Sequence, residues 1–352
     1  MTDTNDILLG SCPAPIRRRE QIVLGHGSGG KLTAELVEQM FLPAFRNEVL
    51  ARMEDQAVLT IGGARLAFTT DAFVVTPIFF PGGDIGKLAV HGTVNDLAMS
   101  GARPLYLAAS FILEEGLPME DLARVVESMR VAASESGVQL VAGDTKVVDR
   151  GKADRLFITT TGIGVLDDDV HISASAARPG DAILLSGTVG DHGMAVLSQR
   201  EGLEFESAIE SDTAPLHGLV AAMLDVSKEI HCMRDPTRGG LATTLNELAG
   251  QSNVGMVIEE TSIAVTEGVQ GACEILGLDP LYVANEGKLV AIVAAEAAEA
   301  VVRAMHAHPL GAQARIIGRV VSEHPRMVLM NTRIGGTRVV DVLFGEQLPR
   351  IC

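Results

Sequence analysis

Tryptophan is absent from these 352 residues, tyrosine occurs twice, and aromatic side chains make up 3%. The interior must therefore be assembled from Ala, Val, Ile and Leu, in a chain that is 47% hydrophobic and long enough for two domains. Cysteine is scarce as well. Cys12, Cys232, Cys273 and Cys352 form no CxxC pair and no zinc spacing. The first 19 residues carry charges but no apolar signal segment, so the chain reads as cytoplasmic and reduced. No apolar run approaches the roughly 18 residues of a membrane helix, and no membrane association is expected. Positive charge is the last shortage. Lys and Arg number 28 against 45 Asp and Glu, a net charge of −17. Such a chain repels phosphate backbones, which argues against nucleic acid as a partner. A nucleotide substrate would need local relief of that charge, most simply from metal ions.

Glycine is abundant, at 37 residues. Short β-branched runs alternate with longer helical ones, the pattern of an α/β or α+β protein. Residues 1–20, with Cys12 and Arg17-Arg18-Arg19, read as a flexible arm. A first domain is expected over 21–166, with strands at 21–24, 57–61, 65–70, 105–113, 138–142 and 156–165. Its helices are expected from the glycine-rich turn to about Met40, over 84–99, and from Pro118. This last helix places Leu122, Val125, Val126, Met129, Ala132 and Ala133 on one face. The polar, Ala/Ser-rich stretch after Asp167 opens a second domain, 167–322. There, strands are expected at 182–186, 289–294 and 315–321, and helices at 213–227, 238–249 and 295–306. Residues 323–352 form a third region ending in a mobile tail, Leu348-Pro349-Arg350-Ile351-Cys352.

Four features carry chemistry. The turn Gly25-His26-Gly27-Ser28-Gly29-Gly30-Lys31 precedes a helix, where backbone N–H groups can hold an anion. Its spacing approaches a P-loop, but Leu32 stands where the Mg²⁺-holding hydroxyl belongs, which rules that motif out. An ordinary loop with a helix cap remains the alternative. Second, Asp55, Asp71, Asp96, Asp144 and Asp235 lie at or near element ends, and carboxylates gathered from several elements hold Mg²⁺ against a triphosphate. Each alone also reads as a capping or turn residue. Asp96 is the exception, because a helix interior disfavours Asp. Third, Lys146 and Glu286 could manage proton transfers beside a phosphate, or form a surface ion pair. Fourth, Cys352 is the last residue, behind Pro349. A tail of about 12 residues extends roughly 40 Å, enough to enter and leave a site. Prenylation is excluded, because its Cys is fourth from the end.

Taken together, Gly25–Gly30, Phe79-Phe80-Pro81-Gly82-Gly83, Asn95-Asp96, Gly143-Asp144-Thr145-Lys146, Ser186-Gly187-Thr188, Gly190-Asp191-His192-Gly193, Arg234-Asp235, Thr237-Arg238-Gly239-Gly240, Ala284-Asn285-Glu286-Gly287-Lys288 and Pro349-Arg350-Ile351-Cys352 resemble the HypE family of hydrogenase maturation proteins. The resemblance runs from about residue 21 to the end. It places the chain beside aminoimidazole ribonucleotide synthetase, selenophosphate synthetase and thiamine-monophosphate kinase. It implies their α+β two-domain fold, with mixed sheets, an α/β N-terminal domain that forms a homodimer, and ATP with Mg²⁺ as cofactors. Position by position, it implies Asp55, Asp71, Asp96 and Asp144 for metal and phosphate, with Asp235 a less close match. Gly27, Ser28, Gly29, Gly30, Lys31, Asp71, Asn95, Asp144 and Thr145 would contact the nucleotide, and Cys352, Lys146 and Glu286 would be catalytic. The activity it implies is ATP-dependent dehydration of a carboxamide on Cys352 to a thiocyanate. The carbamoyltransferase HypF would load the cysteine, and a HypC–HypD complex would accept the cyanide. A selenophosphate synthetase would want a reactive cysteine beside the glycine-rich turn, yet Cys12 lies 13 residues before Gly25. A thiamine-monophosphate kinase needs no terminal cysteine. A non-catalytic cyanide carrier is the alternative outside enzymes.

Overall fold

A computed structural model describes residues 21–203, 208–343 and 351–352. The expected arm at 1–20, Cys12 and tail residues 348–350 lie outside the described residues.

The chain opens with a 3₁₀ turn, Leu24–Gly27, rather than the strand expected at 21–24. Helix α1 (Lys31–Leu36) continues through a π-helical stretch, Val37–Phe41, into α2 (Leu42–Phe45). The first sheet holds β1 (Ala57–Ile61), β2 (Ala64–Phe73), β5 (Arg103–Glu114), β6 (Gln139–Val148) and β7 (Leu156–Leu166), in the order β1-β2-β7-β5-β6. Only the β5–β6 pairing is parallel. The short hairpin of β3 (Phe79–Phe80) and β4 (Gly83–Asp84) precedes α3 (Ile85–Met99). The Asp84 carboxylate caps α3 by accepting from Gly86 N and Lys87 N, satisfying two donors of its first turn. Helix α4 (Met119–Glu135) packs on α3. In β7, residues 156, 158, 160, 162, 164 and 166 alternate inward onto the helices. Leu88, Val90, Val94 and Leu97 of α3 are fully buried, each contributing about 1.5–3 kcal/mol of burial.

The second domain contains β8 (Ala182–Leu185), α5 (Asp191–Glu201), α6 (His217–Val226), β9 (Ile230–Arg234), α7 (Gly240–Ser252), β10 (Gly255–Glu259), α8 (Glu267–Leu276), β11 (Val290–Val293), α9 (Ala295–His306), β12 (Arg315–Val321), β13 (Val328–Asn331) and β14 (Thr337–Val340). Seven strands form its sheet, in the order β14-β13-β10-β12-β8-β11-β9. Helices cover both faces at the centre, and β8 and β11 are buried at every position, which makes them short continuous apolar runs. The sequence set residues from 323 apart. Instead β13 pairs parallel with β10, and β14 extends the same sheet. Among the described residues no helix is long and apolar enough to cross a membrane.

Two polar clamps join the domains and fix the cleft between them. Buried Arg234, at the end of β9, donates to both oxygens of Asp55 (2.8 and 3.0 Å), to Glu247 (2.5 Å) and to Met53 O (3.1 Å). Asn95, fully buried on α3, donates to Ala214 O (3.1 Å) and Glu286 O (3.2 Å) and accepts from Leu216 N (2.8 Å). Removing its amide would leave Ala214 O and Leu216 N unpaired and Glu286 O with only the long 3.5 Å bond from Ala214 N.

Candidate active site at the domain junction

Strand alternation aims Asp71 inward with Ala67, Thr69 and Phe73, toward α3. Asp96 rises from α3 to meet it, accepting from the Thr69 hydroxyl at 2.9 Å. Asp235 comes from the turn after β9, and Glu286 from the loop before β11. That loop is held rigidly. Asn285 accepts from Gly190 N (2.7 Å) and donates to Pro236 O (2.9 Å), while Asp212 accepts from Glu286 N (3.0 Å). Any Cβ at Gly287 would strike Asp212 O, so only glycine allows this approach.

These carboxyls crowd one another; Asp235 and Glu286 are buried, whereas the Asp71 side chain is 31% exposed. Burial, then the charges of Asp235, Asp71 and Asp55, raise the Asp96 pKa well above the carboxylate range, with the Thr69 hydroxyl opposing. Burial and next Asp55 push Asp235 up to about 8. Asp71 is raised by burial, against the pull of Arg238. Glu286 is 2% exposed, and its Oε1 has no hydrogen-bond partner among the described residues. Burial first, then Asp235, Asp212 and Asp71, hold its pKa well above the ordinary value.

One cation faces this cluster from the turn before α7. Arg238 donates to Gly27 O at 2.8 Å and lies 3.8 Å from Asp71. The glycine-rich turn reaches it only because Gly29 has φ +77°, and a Cβ there would lie 2.8 Å from the Arg238 Cβ. Arg238 thus ties the turn to the acidic cleft, and its pKa is raised first by Cys352 and then, against burial, by Asp71.

The chain terminus enters the same cleft. Ile351 forms an antiparallel bridge with Val75, and Val74 N donates to Cys352 O at 3.0 Å. The Ile351 side chain, 4% exposed, packs among Val75, Ile78, Phe80, Val196 and Ala284. Burial pushes the Cys352 thiol up to about 12, opposed by Arg238 and reinforced by Glu286, Asp71 and Asp235. Cys352, Glu286, Arg238, Asp71 and Asp235 therefore occupy one electrostatic environment.

Other expected site residues fall elsewhere. Asp144 and Thr145 lie within β6, a strand longer than the expected 138–142. Asp144 and Lys146 share the register side of Ser110 and Ile112, on the sheet face opposite Asp71 and α3. They pair with each other at 2.7 Å, both exposed, and that hydrogen bond lowers the Asp144 pKa. Within one chain they cannot join the cleft, because period-two alternation fixes their face. Lys31 is tied to Asp341 at 2.8 Å, and its N–H donates to Leu343 O. Asp55 is occupied by Arg234 and acts on the other carboxyls through its charge. The Asn95 amide is taken up by the domain clamp. Arg238 and His192, by contrast, were not among the expected site residues. The motifs containing them were visible, but nothing in the sequence singled out these two members.

Among the described residues no three His, Cys, Asp or Glu side chains are arranged to hold a metal ion. A nucleotide-bound Mg²⁺ needs less, since one or two carboxylates with phosphates and waters complete its octahedron. Asp71, Asp96 and Asp235 suit that demand, because burial and neighbouring carboxylates raise all three pKa values, against partial relief from Arg238 at Asp71 and from Arg234 at Asp235.

Two sheet-bearing domains with an acidic cleft at their junction define the AIR synthase-related class. Accordingly, residues 53–166 match the AIR synthase related protein N-terminal domain, and residues 178–329 match its C-terminal domain. The chain is 61% identical over 333 residues to the carbamoyl dehydratase HypE of Cupriavidus necator, covering 94% of this chain and 95% of that one. The crystal structure of a HypE–HypF complex superposes with a TM-score of 0.84 at 51% identity, over 88% of this chain and 99% of that one. HypE crystallised in complex with ATP gives 0.80 at 52%, over 94% and 100%. This chain belongs to the HypE family of carbamoyl dehydratases.

Proposed function

We propose that this chain uses ATP to dehydrate a carboxamide carried on its own Cys352, leaving a thiocyanate that supplies the cyanide ligand of [NiFe]-hydrogenase. The entry of Cys352 into the cleft, where it shares the electrostatic environment of Glu286 and Arg238, carries this reading. The loaded sulfur bears –C(=O)–NH₂, whose oxygen leaves poorly. Transfer of the γ-phosphoryl group to that oxygen, with loss of one nitrogen proton and release of ADP, gives S–C(=NH)–O–phosphate. Loss of the second nitrogen proton and departure of phosphate then form the C≡N bond. The balance is R–S–CONH₂ plus ATP giving R–S–CN, ADP and phosphate.

Glu286 is the proposed base for the nitrogen protons. Burial raises its pKa above the ordinary value, so once ionised it binds a nitrogen proton more strongly than a free carboxylate would. Arg238 offers its remaining N–H groups to the transferring phosphoryl and keeps the glycine-rich turn over it. Bound Mg²⁺ would neutralise charge on the phosphates, held by one or two of Asp71, Asp96 and Asp235.

The outer face of the first sheet supports a homodimer. Phe68, Tyr106, Ile112 and Ile163 stand exposed there, and β6 is an open edge exposed along nearly its whole length. In this arrangement Asp144, Thr145 and Lys146 of a second copy would complete a nucleotide site. HypF as the carbamoyl donor rests on the complex formed by the relative, and a HypC–HypD acceptor rests on family resemblance.

The test is phosphate release by the chain after loading with HypF, carbamoyl phosphate and ATP. Release should require prior carbamoylation and vanish in Cys352→Ala. Release that is equal in Cys352→Ala would remove the tail from the reaction, and no release from a loaded chain would favour a non-catalytic cyanide carrier.

A further inference from the structure

The terminal cysteine can react only if the tail is seated in one register, and the described contacts that seat it are few. The Ile351 carbonyl accepts from His192 Nε2 at 2.6 Å. We propose that His192 is a positioning residue for the tail, and that this bond fixes the register in which Cys352 meets Glu286 and Arg238. Our proposal rests on the dehydratase reading only for its kinetic consequence.

The tautomer follows from the partners. A carbonyl can only accept, so Nε2 must carry the proton. On the other side of the ring, Nδ1 lies 2.8 Å from Ser211 Oγ. That oxygen accepts from Thr213 N at 3.2 Å, which leaves its own proton free for Nδ1. The ring is fully buried and packs edge-on against Phe80, with centroids 5.4 Å apart and planes at 87°. Burial lowers its pKa, so it stays neutral and keeps this donor–acceptor order. His192 belongs to α5 of the second domain, whereas Val74 and Val75 belong to the first. The seat therefore exists only while the domains are joined.

Register matters because successive side chains of an extended segment point to opposite sides. A slip of one residue would turn Cys352 away from the cleft and lift Ile351 out of its apolar pocket. Tail release also has to break the His192 bond, so the same ring governs how often the sulfur leaves the cleft to be loaded.

The experiment uses the full chain in a Cys12→Ser background, with Cys232 and Cys273 buried. His192→Phe keeps a ring against Phe80 but loses the donor, and His192→Gln restores an N–H. Maleimide labelling of Cys352, read by intact mass, should be about tenfold faster in His192→Phe, as loss of one buried hydrogen bond implies. It should return toward wild type in His192→Gln. After loading by HypF, dehydration kcat in His192→Phe should fall about tenfold, with KM for ATP unchanged and carbamoylation not slowed. A purely structural defect would instead expose Cys232 and Cys273 and raise the KM for ATP. If labelling of Cys352 is the same in all three chains, His192 does not hold the tail and the proposal is overturned. If unfolding marks the Phe variant, the Gln variant decides, because wild-type-like labelling there supports the bond and fast labelling opposes it. Labelling that follows the expected order while the wild type never dehydrates would keep the latch and remove the dehydratase reading.

Discussion

Replacing Glu286 by Gln separates chemistry from fold. Glu286 is 2% exposed, and its Oε1 has no hydrogen-bond partner to lose among the described residues. The amide has the shape of the protonated carboxyl that burial favours, so the folding cost should stay below about 1 kcal/mol. Above the ordinary carboxylate pKa the substitution should even stabilise the chain. The folded-state pKa is raised, so the folded chain holds a proton that the unfolded chain releases. That contribution is complete below the unfolded pKa and is lost as pH rises toward the folded value. Gln removes this slope. The base is removed as well, and positioned proton transfer contributes about 10²–10⁴ in rate, or roughly 3–5 kcal/mol of barrier. The assay is single-turnover conversion of carbamoylated Cys352, followed by mass from pH 6 to 9, beside urea melts. A loss of kcat in that range with ATP affinity retained, and with the rising limb of the pH profile abolished, fits the account. Dehydration within about threefold of wild type would refute Glu286 as the base.

Asp235→Asn should flatten the pH dependence of stability in the metal-free chain. The folded pKa near 8 exceeds the ordinary 3.8, so its stabilising contribution is present below about 4 and is lost toward pH 8. The slope is at most about 1.4 kcal/mol per pH unit, checked by urea melts. Arg234→Met leaves Asp55 and Glu247 without their guanidinium, and should cost about 3 kcal/mol in the same melts. Asp144→Asn should leave thermal stability unchanged, because its ion pair with Lys146 is exposed, yet lower dehydration strongly if a second copy completes the site. Mixing Asp144→Asn with Cys352→Ala chains should then restore part of the activity through mixed dimers. No restoration in proven mixed dimers would contradict the shared site.

Periodicity made much of this fold legible. Helix α9 spans 295–306 and β12 spans 315–321, as the sequence indicates, and α4 buries Val125, Met129, Ala132 and Ala133. Strand β6 was read too short because its second half, Asp144 to Val148, is an exposed edge without apolar alternation. Strand β9 was missed, since its buried histidine and arginine are paired only in the folded state, with Asp181 and with Asp55. The site was legible as residue types more than as a constellation. Asp71, Asp96, Asp235, Glu286 and Cys352 converge, but Asp144 and Lys146 face the other side of the sheet. Face and convergence are decided by strand register and domain docking, which no single segment encodes. The same reason hid Arg238 and His192, whose partners Gly27 and Ile351 lie 211 and 159 residues away.

The most direct measurement of the central claim is the intact mass of the C-terminal peptide after loading with HypF and carbamoyl phosphate, with and without a further ATP step, beside a Cys352→Ala control. The account predicts a carbamoyl adduct on Cys352 that becomes lighter by one water only when that ATP step is allowed. An adduct that keeps its mass in the presence of ATP, or a Cys352 left unmodified by active HypF, would contradict it.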